Sequence, residues 1–459
     1  MITKLHVECF KSWKRLADMK LKPITGLFGT NSSGKTSLIQ LFLMLKQTVE
    51  STDRNQVLNL GDDKSLVELG TFKDVIHEHS KESKLHLLLS WKPNKPLSVA
   101  DSEHKGRVLF SGQEITYEAT VLQPEKRMRV EEFAYEFAGH RFSLRQSPKS
   151  PNQFKLHSTA AGQTKKFEFT HAPGRVWDLP QPVKCYGFPD QVKAYYKNAG
   201  FLSDFALEME RLFAGLYYLG PLREYPRREY TWDGSQPADM GRRGEKVVHA
   251  ILASRESGRR ISRGRGIKSL TVEEYTGYWL KELGLIHSFE VRPISDGSKL
   301  YQVWVRKTPE SSEVLITDVG FGVSQILPVL VLCYYVPEGA TIILEQPEIH
   351  LHPSVQAGLA DVFIDAMNTN KIQIIVESHS EHLLKRLQRR IAEEKLAASD
   401  ASLYFCEIDG GHSTAKELSL DLFGNIDNWP KDFFGDPFGE AAAMTEAIAR
   451  RKEKQSAAA

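Results

Sequence analysis

Cysteine is scarce and scattered. There are four in 459 residues, Cys9, Cys185, Cys333 and Cys406, with no CxxC pair. That pattern excludes a disulfide framework and a cysteine zinc site, and it suits a reducing compartment. An excess of one charge is also missing: 60 Lys and Arg stand against 58 Asp and Glu, a net of +2. Overall charge therefore gives no argument for nucleic acid or for a membrane surface. No apolar run approaches the roughly 18 residues of a spanning helix, and the best, Ile326 to Val336, is too short. The opening residues, Met-Ile-Thr-Lys-Leu-His-Val-Glu, hold no apolar signal core. Repeats and long heptad runs are absent, which excludes a long coiled-coil arm. What is present is ordinary: 41% hydrophobic and 26% charged residues. At about 150 residues per domain this suggests roughly three units of a soluble, cytoplasmic, multi-lobed protein.

Periodicity predicts strands at Ile2 to Phe10 and Leu21 to Phe28, the second interrupted by Pro23, then a buried helix over Ser37 to Leu45. Lys84 to Trp91, Glu114 to Leu122, Arg127 to Phe137 and Gln153 to Phe169 read as an antiparallel β insertion between Pro, Gly, Ser and Asn clusters. Helices are expected over Phe201 to Leu216 and Leu270 to Leu285, with strand-like alternation over Ser288 to Val305. The last third returns to α/β. Helices are predicted at Gln325 to Tyr335, Val355 to Met367 and Glu381 to Leu396, and strands at Thr341 to Leu344, Gln373 to Val376 and Ser402 to Ile408. A tail with Trp429, Pro430, Phe433 and Phe434 ends in a helix expected to fray at Ala457 to Ala459.

Gly29-Thr30-Asn31-Ser32-Ser33-Gly34-Lys35-Thr36 fits GxxxxGK[ST] between a predicted strand and helix. Glycines let backbone N–H groups fold around phosphate, and the helix N-terminus adds positive potential. Lys35 is placed to reach the β- and γ-phosphates of a nucleotide, and the Thr36 hydroxyl to ligate Mg²⁺.

A second constellation centres on Glu345, 310 residues after Lys35. Thr341-Ile342-Ile343-Leu344-Glu345-Gln346-Pro347-Glu348 is an apolar strand ending in carboxylates, where an α/β nucleotide fold places its Mg²⁺ acid. Ile349-His350-Leu351-His352-Pro353 follows, then Ile374-Ile375-Val376-Glu377-Ser378-His379-Ser380. Upstream, Asp318-Val319-Gly320-Phe321-Gly322-Val323-Ser324-Gln325 is a glycine turn opening a helix, a second anion nest.

Together these residues resemble the ATP-binding-cassette ATPases of the SMC, RecF and OLD type. Gly29 to Thr36, with Ser37 beside it, looks like their Walker A, and Leu344 to Glu348 like Walker B. Gly320 to Gln325 resembles their signature, Leu351-His352-Pro353 the D-loop and His379 the switch histidine. Phe10-Lys11-Ser12-Trp13 is similar to an N-terminal turn that touches nucleotide in this group. The resemblance covers residues 1–80 and 300–410. It implies an α/β ATPase head with an inserted antiparallel β-rich lobe and helical segments. The expected division is 1–84, an N-terminal ATPase lobe; 85–200, the inserted lobe; 201–299, a helical and basic connection; 300–422, a C-terminal ATPase lobe; and 423–459, a short C-terminal domain. As the resemblance implies, ATP and Mg²⁺ would be held by Gly29, Asn31, Ser32, Ser33, Gly34, Lys35, Thr36, Ser37 and Lys11. Gly322, Ser324 and Gln325 would come from a partner copy, Thr36 and Glu345 would serve the metal, and Glu345, Gln346, Glu348 and His379 the chemistry.

Tyr218-Leu219-Gly220-Pro221-Leu222-Arg223-Glu224 and the Trp429-Pro430 tail narrow the likeness to a bacterial subfamily with a short C-terminal domain of unknown function. Several of its members sit in anti-phage operons beside a nuclease gene, Septu-type systems among them. That implies a dimeric or larger regulatory ATPase controlling a separate nuclease effector; a RecF-like DNA repair ATPase is the alternative. Two departures matter. Gln346 stands where the superfamily carries a second acid, and an amide cannot accept a proton, so slow hydrolysis is expected. Glu407-Ile408-Asp409-Gly410 lacks the Asp-x-Asp of OLD-type nucleases, so no intrinsic nuclease is expected. Gln40, Gln47 and Gln56 are the candidates for a Q-loop.

His350/His352 and His77/His79 fit turns better than metal ligation. Arg223 to Lys268 holds ten Arg and two Lys against six acids, with Tyr225, Tyr230 and Trp232 interleaved. It is the one candidate surface for nucleic acid.

Overall fold

A computed structural model of the chain describes residues 1–459 apart from 81–83, 101–107, 149, 162–165, 175–177, 263, 265, 431–432, 435–441 and 452–459. The expected fraying at Ala457 to Ala459 and the arginines at 263 and 265 lie outside the described residues.

Four short apolar runs that read as buried strands, joined by Leu216–Leu219 at the end of the helix expected over Phe201 to Leu216, form one parallel sheet, the arrangement such runs favour because both their faces need covering. Its order is Leu216–Leu219, Thr341–Glu345, Gln373–Glu377, Ile24–Gly29 and Ala401–Asp409, with His412–Glu417 added antiparallel at the edge. Strand alternation divides the core in two. Leu27, Ile343, Ile375 and Cys406 face the helix Lys35–Glu50 and the β-rich lobe. Phe28, Ile342, Leu344, Ile374, Val376 and Leu403 face the helices Phe321–Tyr335, Pro353–Asn370 and Glu381–Ala392.

The second sheet is antiparallel, in the order Ser150–Ala160, His140–Ser147, Arg129–Phe137, Ile115–Leu122, Leu85–Trp91, Ile2–Phe10 and Trp13–Lys20. It confirms the mixed α/β class with a large antiparallel sheet, and it runs across residue 84, because Ile2–Phe10 pairs directly with Leu85–Trp91.

Three differences from the expected elements have physical causes. Trp13–Lys20 carries no period-2 signal because only every third residue is buried, Asp18 is left-handed (φ 43°) and the register shifts at Leu5/Val7. The strand expected over Leu21 to Phe28 begins only at Ile24, after Pro23. The helix expected over Ser37 to Leu45 spans Lys35–Glu50, because buried polar residues extend it beyond the apolar run. Lys46 Nζ donates to Phe213 O at 3.0 Å, and Gln47 Nε2 to Asn59 O at 2.8 Å.

Candidate functional site

The parallel strands deliver their following residues to one edge of the sheet, the usual ligand side of such a fold. Ile24–Gly29 delivers the glycine loop. Gly29 has φ +132° and lies against Cys406 O, so a Cβ would strike that backbone. Gly34 (φ +88°) is clamped: a Cβ there would meet Ser413 Oγ and sit 2.7 Å from Ser12 Oγ, and Trp13 Nε1 donates to Gly34 O at 3.0 Å. The Phe10 to Trp13 turn thus holds the loop from outside. Lys35 is buried, and its ammonium donates to Gly29 O (3.1 Å), Thr30 O (2.7 Å) and Ser33 Oγ (3.3 Å). Its acceptors are neutral atoms of its own loop, which fits a cation waiting for anionic oxygen. Burial pushes its pKa down. Asn31 and Ser32 are exposed at the loop tip and Ser37 is half-buried. Lys11 (φ 49°) reaches Gln40 Oε1 at 2.5 Å. Of the three Q-loop candidates, Gln47 is committed to Asn59 and Val67 and Gln56 to Ser51.

Carboxylates gather on the neighbouring strands. Glu345 and Glu377 end adjacent strands in register, and both are buried. The Thr36 hydroxyl donates to Glu377, with distances of 3.0 and 2.9 Å to its two oxygens. Burial first, and then the charge of Glu377, push Glu345 up to about 7. The Tyr218 hydroxyl donates to Glu345. The Glu348 carboxyl accepts from His379 N at 2.6 Å and is also stabilised by the Ser378 hydroxyl, while its Oε2 is buried with no close hydrogen-bond partner. Gln346 is left-handed (φ 42°), with its N–H on Glu377 O at 2.8 Å. The His379 ring donates to Gly29 O, and burial followed by Lys35 lowers its pKa. Among the described residues no three His, Cys, Asp or Glu form a metal cage. A threonine hydroxyl with one or two carboxylates is instead the protein share of a Mg²⁺–nucleotide site, which phosphate oxygens and water complete.

The structure therefore brings together the glycine loop, Glu345, Gln346, Glu348 and His379. It adds Glu377, Tyr218 and Arg223, which sequence reasoning missed. An acid at the carboxyl end of a buried strand singled out Glu345, and the same signal was present at Glu377.

The turn at Gly320 lies differently. Gly320 and Phe321 are exposed, and the nearest neighbours of Gly322 are Leu351, His350 and Leu285. Ser324 and Gln325 are buried, and Ser324 Oγ donates to Phe321 O at 2.8 Å. The outward tip is Gly320–Phe321, because Ser324 and Gln325 fall on the helix face toward the core.

The histidine pairs have ordinary roles. His352 caps the helix Pro353–Asn370 by accepting from Ser354 N at 3.3 Å, and His350 packs edge-on against Phe321. The rings of His77 and His79 bond the backbone oxygens of Lys11 and Lys73.

Residues 266–384 match the family described as AAA ATPase domain, and residues 396–444 match a protein family of unknown function, DUF3696. That first stretch resembles an AAA ATPase domain. It contains Glu345, Glu348, Glu377 and His379. No curated protein matches the chain. Similar solved structures include an Smc head bound to the C-winged helix domain of ScpA, at 11% identity over 91% of this chain and 98% of that one, TM-score 0.47. Another is the SMC head domain from Thermotoga maritima, at 12% identity over 91% and 99%, TM-score 0.41. A third is an Smc head with extended coiled coil from Pyrococcus furiosus, bound to the C-terminal domain of ScpA, at 10% identity over 98% and 99%, TM-score 0.43.

Among the described residues, much of the basic segment makes contacts within the chain. Arg223 is buried, Arg227 pairs with Glu224, Arg228 with Asp318, Arg255 with Glu273, and Arg260 and Lys268 with Glu274. Arg242 donates to Ser65 O, and Arg259 to Tyr335 O and Val336 O at the C-terminal end of Phe321–Tyr335, where a cation offsets the helix dipole. Arg243 and Lys246 are exposed, so these contacts engage only part of the local charge excess that suggested nucleic acid.

Proposed function

We propose that this chain is a slow, nucleotide-gated ATPase of the ATP-binding-cassette kind, which assembles through composite ATP sites and controls a separate nuclease effector in bacterial anti-phage defence. The observation that carries the ATPase reading is the meeting of Lys35 and Thr36 with Glu345, Glu348 and Glu377 at one sheet edge. In this reading Lys35 exchanges loop carbonyls for the β- and γ-phosphates of ATP, and loop N–H groups take the remaining phosphate oxygens. Thr36 and Glu345 would hold Mg²⁺, which when bound neutralises developing phosphate charge. His379, tied to Gly29 O, holds the switch position beside the phosphates. Gln346 can orient water but cannot take its proton, which accounts for slow turnover. The effector and the defence setting rest on the subfamily resemblance. Among the described residues no helix is long and apolar enough to cross a membrane, and the cytoplasm is the proposed location.

Two experiments test this reading. Exposed Phe321 sits at the tip that a second copy would present to ATP. Phe321→Arg is expected to abolish ATP-dependent assembly in light scattering while leaving monomer ATP binding within about threefold, since added charge at an interface centre is strongly unfavourable. Assembly at wild-type strength would remove the composite-site model.

The second concerns pH. Glu345 titrates near 7 in the fold, against about 4.3 in an unfolded chain. Between those values the native state binds more protons, so this group's contribution to metal-free stability falls as pH rises from about 4.3 through 7. Metal binding needs the carboxylate. Calorimetry of Mg²⁺–ATP binding in buffers of differing ionisation enthalpy should show proton release near pH 6 that fades by about pH 8. No release near pH 6 would exclude Glu345 as the ligand.

A further inference from the structure

The strand Leu216–Leu219 runs parallel to Thr341–Glu345, with Leu219 opposite Leu344, so the residues after it arrive at the acid cluster. They arrive inverted. Leu222 and Tyr225 are 67% and 73% exposed, while Arg223 between them is only 8% exposed. Apolar residues outside and a charge inside oppose the ordinary partition, and an arginine is rarely buried unless paired. Its burial is built in. Gly220 N donates to Arg242 O at 2.8 Å and Glu224 N to Arg243 O at 2.9 Å, one on each side of the arginine. Farther along, Tyr225 packs on Phe321 and Arg228 donates to Asp318 at 2.8 Å.

Inside, Arg223 makes one long hydrogen bond, Nη2 to Glu345 O at 3.5 Å, while Nε and Nη1 have no partner. Glu348 supplies a matching deficit: Ser378 and His379 N serve its carboxyl, yet its buried Oε2 has no close hydrogen-bond partner, and the two charges sense one another. A guanidinium carries five N–H donors in a rigid fork suited to a carboxylate. A buried fork and a buried carboxylate oxygen, both unmet, have the character of a site completed when ligand binds.

We propose that Arg223 is a positioning residue of the ATP site, whose fork takes the Glu348 carboxylate once nucleotide is bound and fixes it toward the reacting phosphate. The proposal rests on the ATPase reading. Arg223 itself touches no substrate. The segment from Tyr218 to Arg228 holds it in place and links the acids to the exposed Gly320–Phe321 turn.

The test is Arg223→Met in the full chain, since the substitution gives up one hydrogen bond of 3.5 Å and removes a buried, otherwise unpartnered charge that is costly to desolvate. This variant should stay folded by thermal melt and bind ATP within about threefold of wild type. Its kcat should fall about 10²-fold, the scale of a misplaced catalytic group. Arg223→Lys, which keeps charge but loses the fork, should recover about tenfold of that loss. Wild-type kcat in Arg223→Met, or ATP affinity falling together with kcat, overturns the proposal. Wild-type ATP binding, measured alongside, tests the ATPase reading separately: its absence removes both claims, whereas binding with an unaffected variant removes only this one. If wild-type turnover is too slow to follow, an ATP-bound structure decides. Arg223 within hydrogen-bonding distance of Glu348 supports the assignment, and a guanidinium still unpartnered overturns it.

Discussion

Lys35→Ala is expected to abolish measurable ATP binding. The Lys35 ammonium is buried and already oriented by Gly29 O, Thr30 O and Ser33 Oγ, so phosphate would replace neutral acceptors at a prepaid geometry. Removing one partner of a buried, hydrogen-bonded charge pair costs about 2–5 kcal/mol, roughly 30- to several-thousand-fold in affinity. Fold stability should change little, because burial already disfavours the charge, as its lowered pKa shows, and deletion relieves that penalty while losing the loop contacts. Isothermal calorimetry beside a thermal melt separates the two effects. A folded Lys35→Ala protein with wild-type ATP affinity would remove the glycine loop from the site.

Gln346→Glu is expected to raise the rate of ATP hydrolysis. A positioned general base contributes about 10²–10⁴-fold, and the amide at this position cannot act as one. The exchange is close to isosteric, and the main-chain bond from Gln346 N to Glu377 O does not involve the side chain. The surroundings help as well. Glu345 is pushed to about 7 by burial and by Glu377, and a further carboxylate beside them would titrate high for the same reasons, within the range that suits a base at neutral pH. Steady-state phosphate release measures the effect. If wild type turns over briskly and Gln346→Glu is no faster, Glu348 or Glu377 carries the base, and Glu348→Gln against Glu377→Gln distinguishes them. The slow-switch reading would then fall.

The glycine loop and the Glu345 strand were legible in one dimension because their causes are local. Gly29 and Gly34 answer to their own positive backbone φ angles, and a continuous apolar run announces a strand buried on both faces. Most of the β insertion was legible for the same reason, through alternation over a few residues, though His140–Ser147 was not anticipated and the last strand ends at Ala160. Trp13–Lys20 was not, since a left-handed Asp18 and a register shift erase the alternation. Side-chain roles depended on the fold. Thr36 meets Glu377 across 341 residues, and Arg223 reaches Glu345 across 122. Arg228 finds Asp318 across 90 residues, which ties the basic stretch to the Gly320 turn at the surface. Sequence determined which backbone could cradle phosphate and most of the strands that stack behind it. Tertiary structure alone decided which carboxylates converge there and which arginines remain available. A charge acts through neighbours a few ångströms away, and long-range strand register chooses those neighbours.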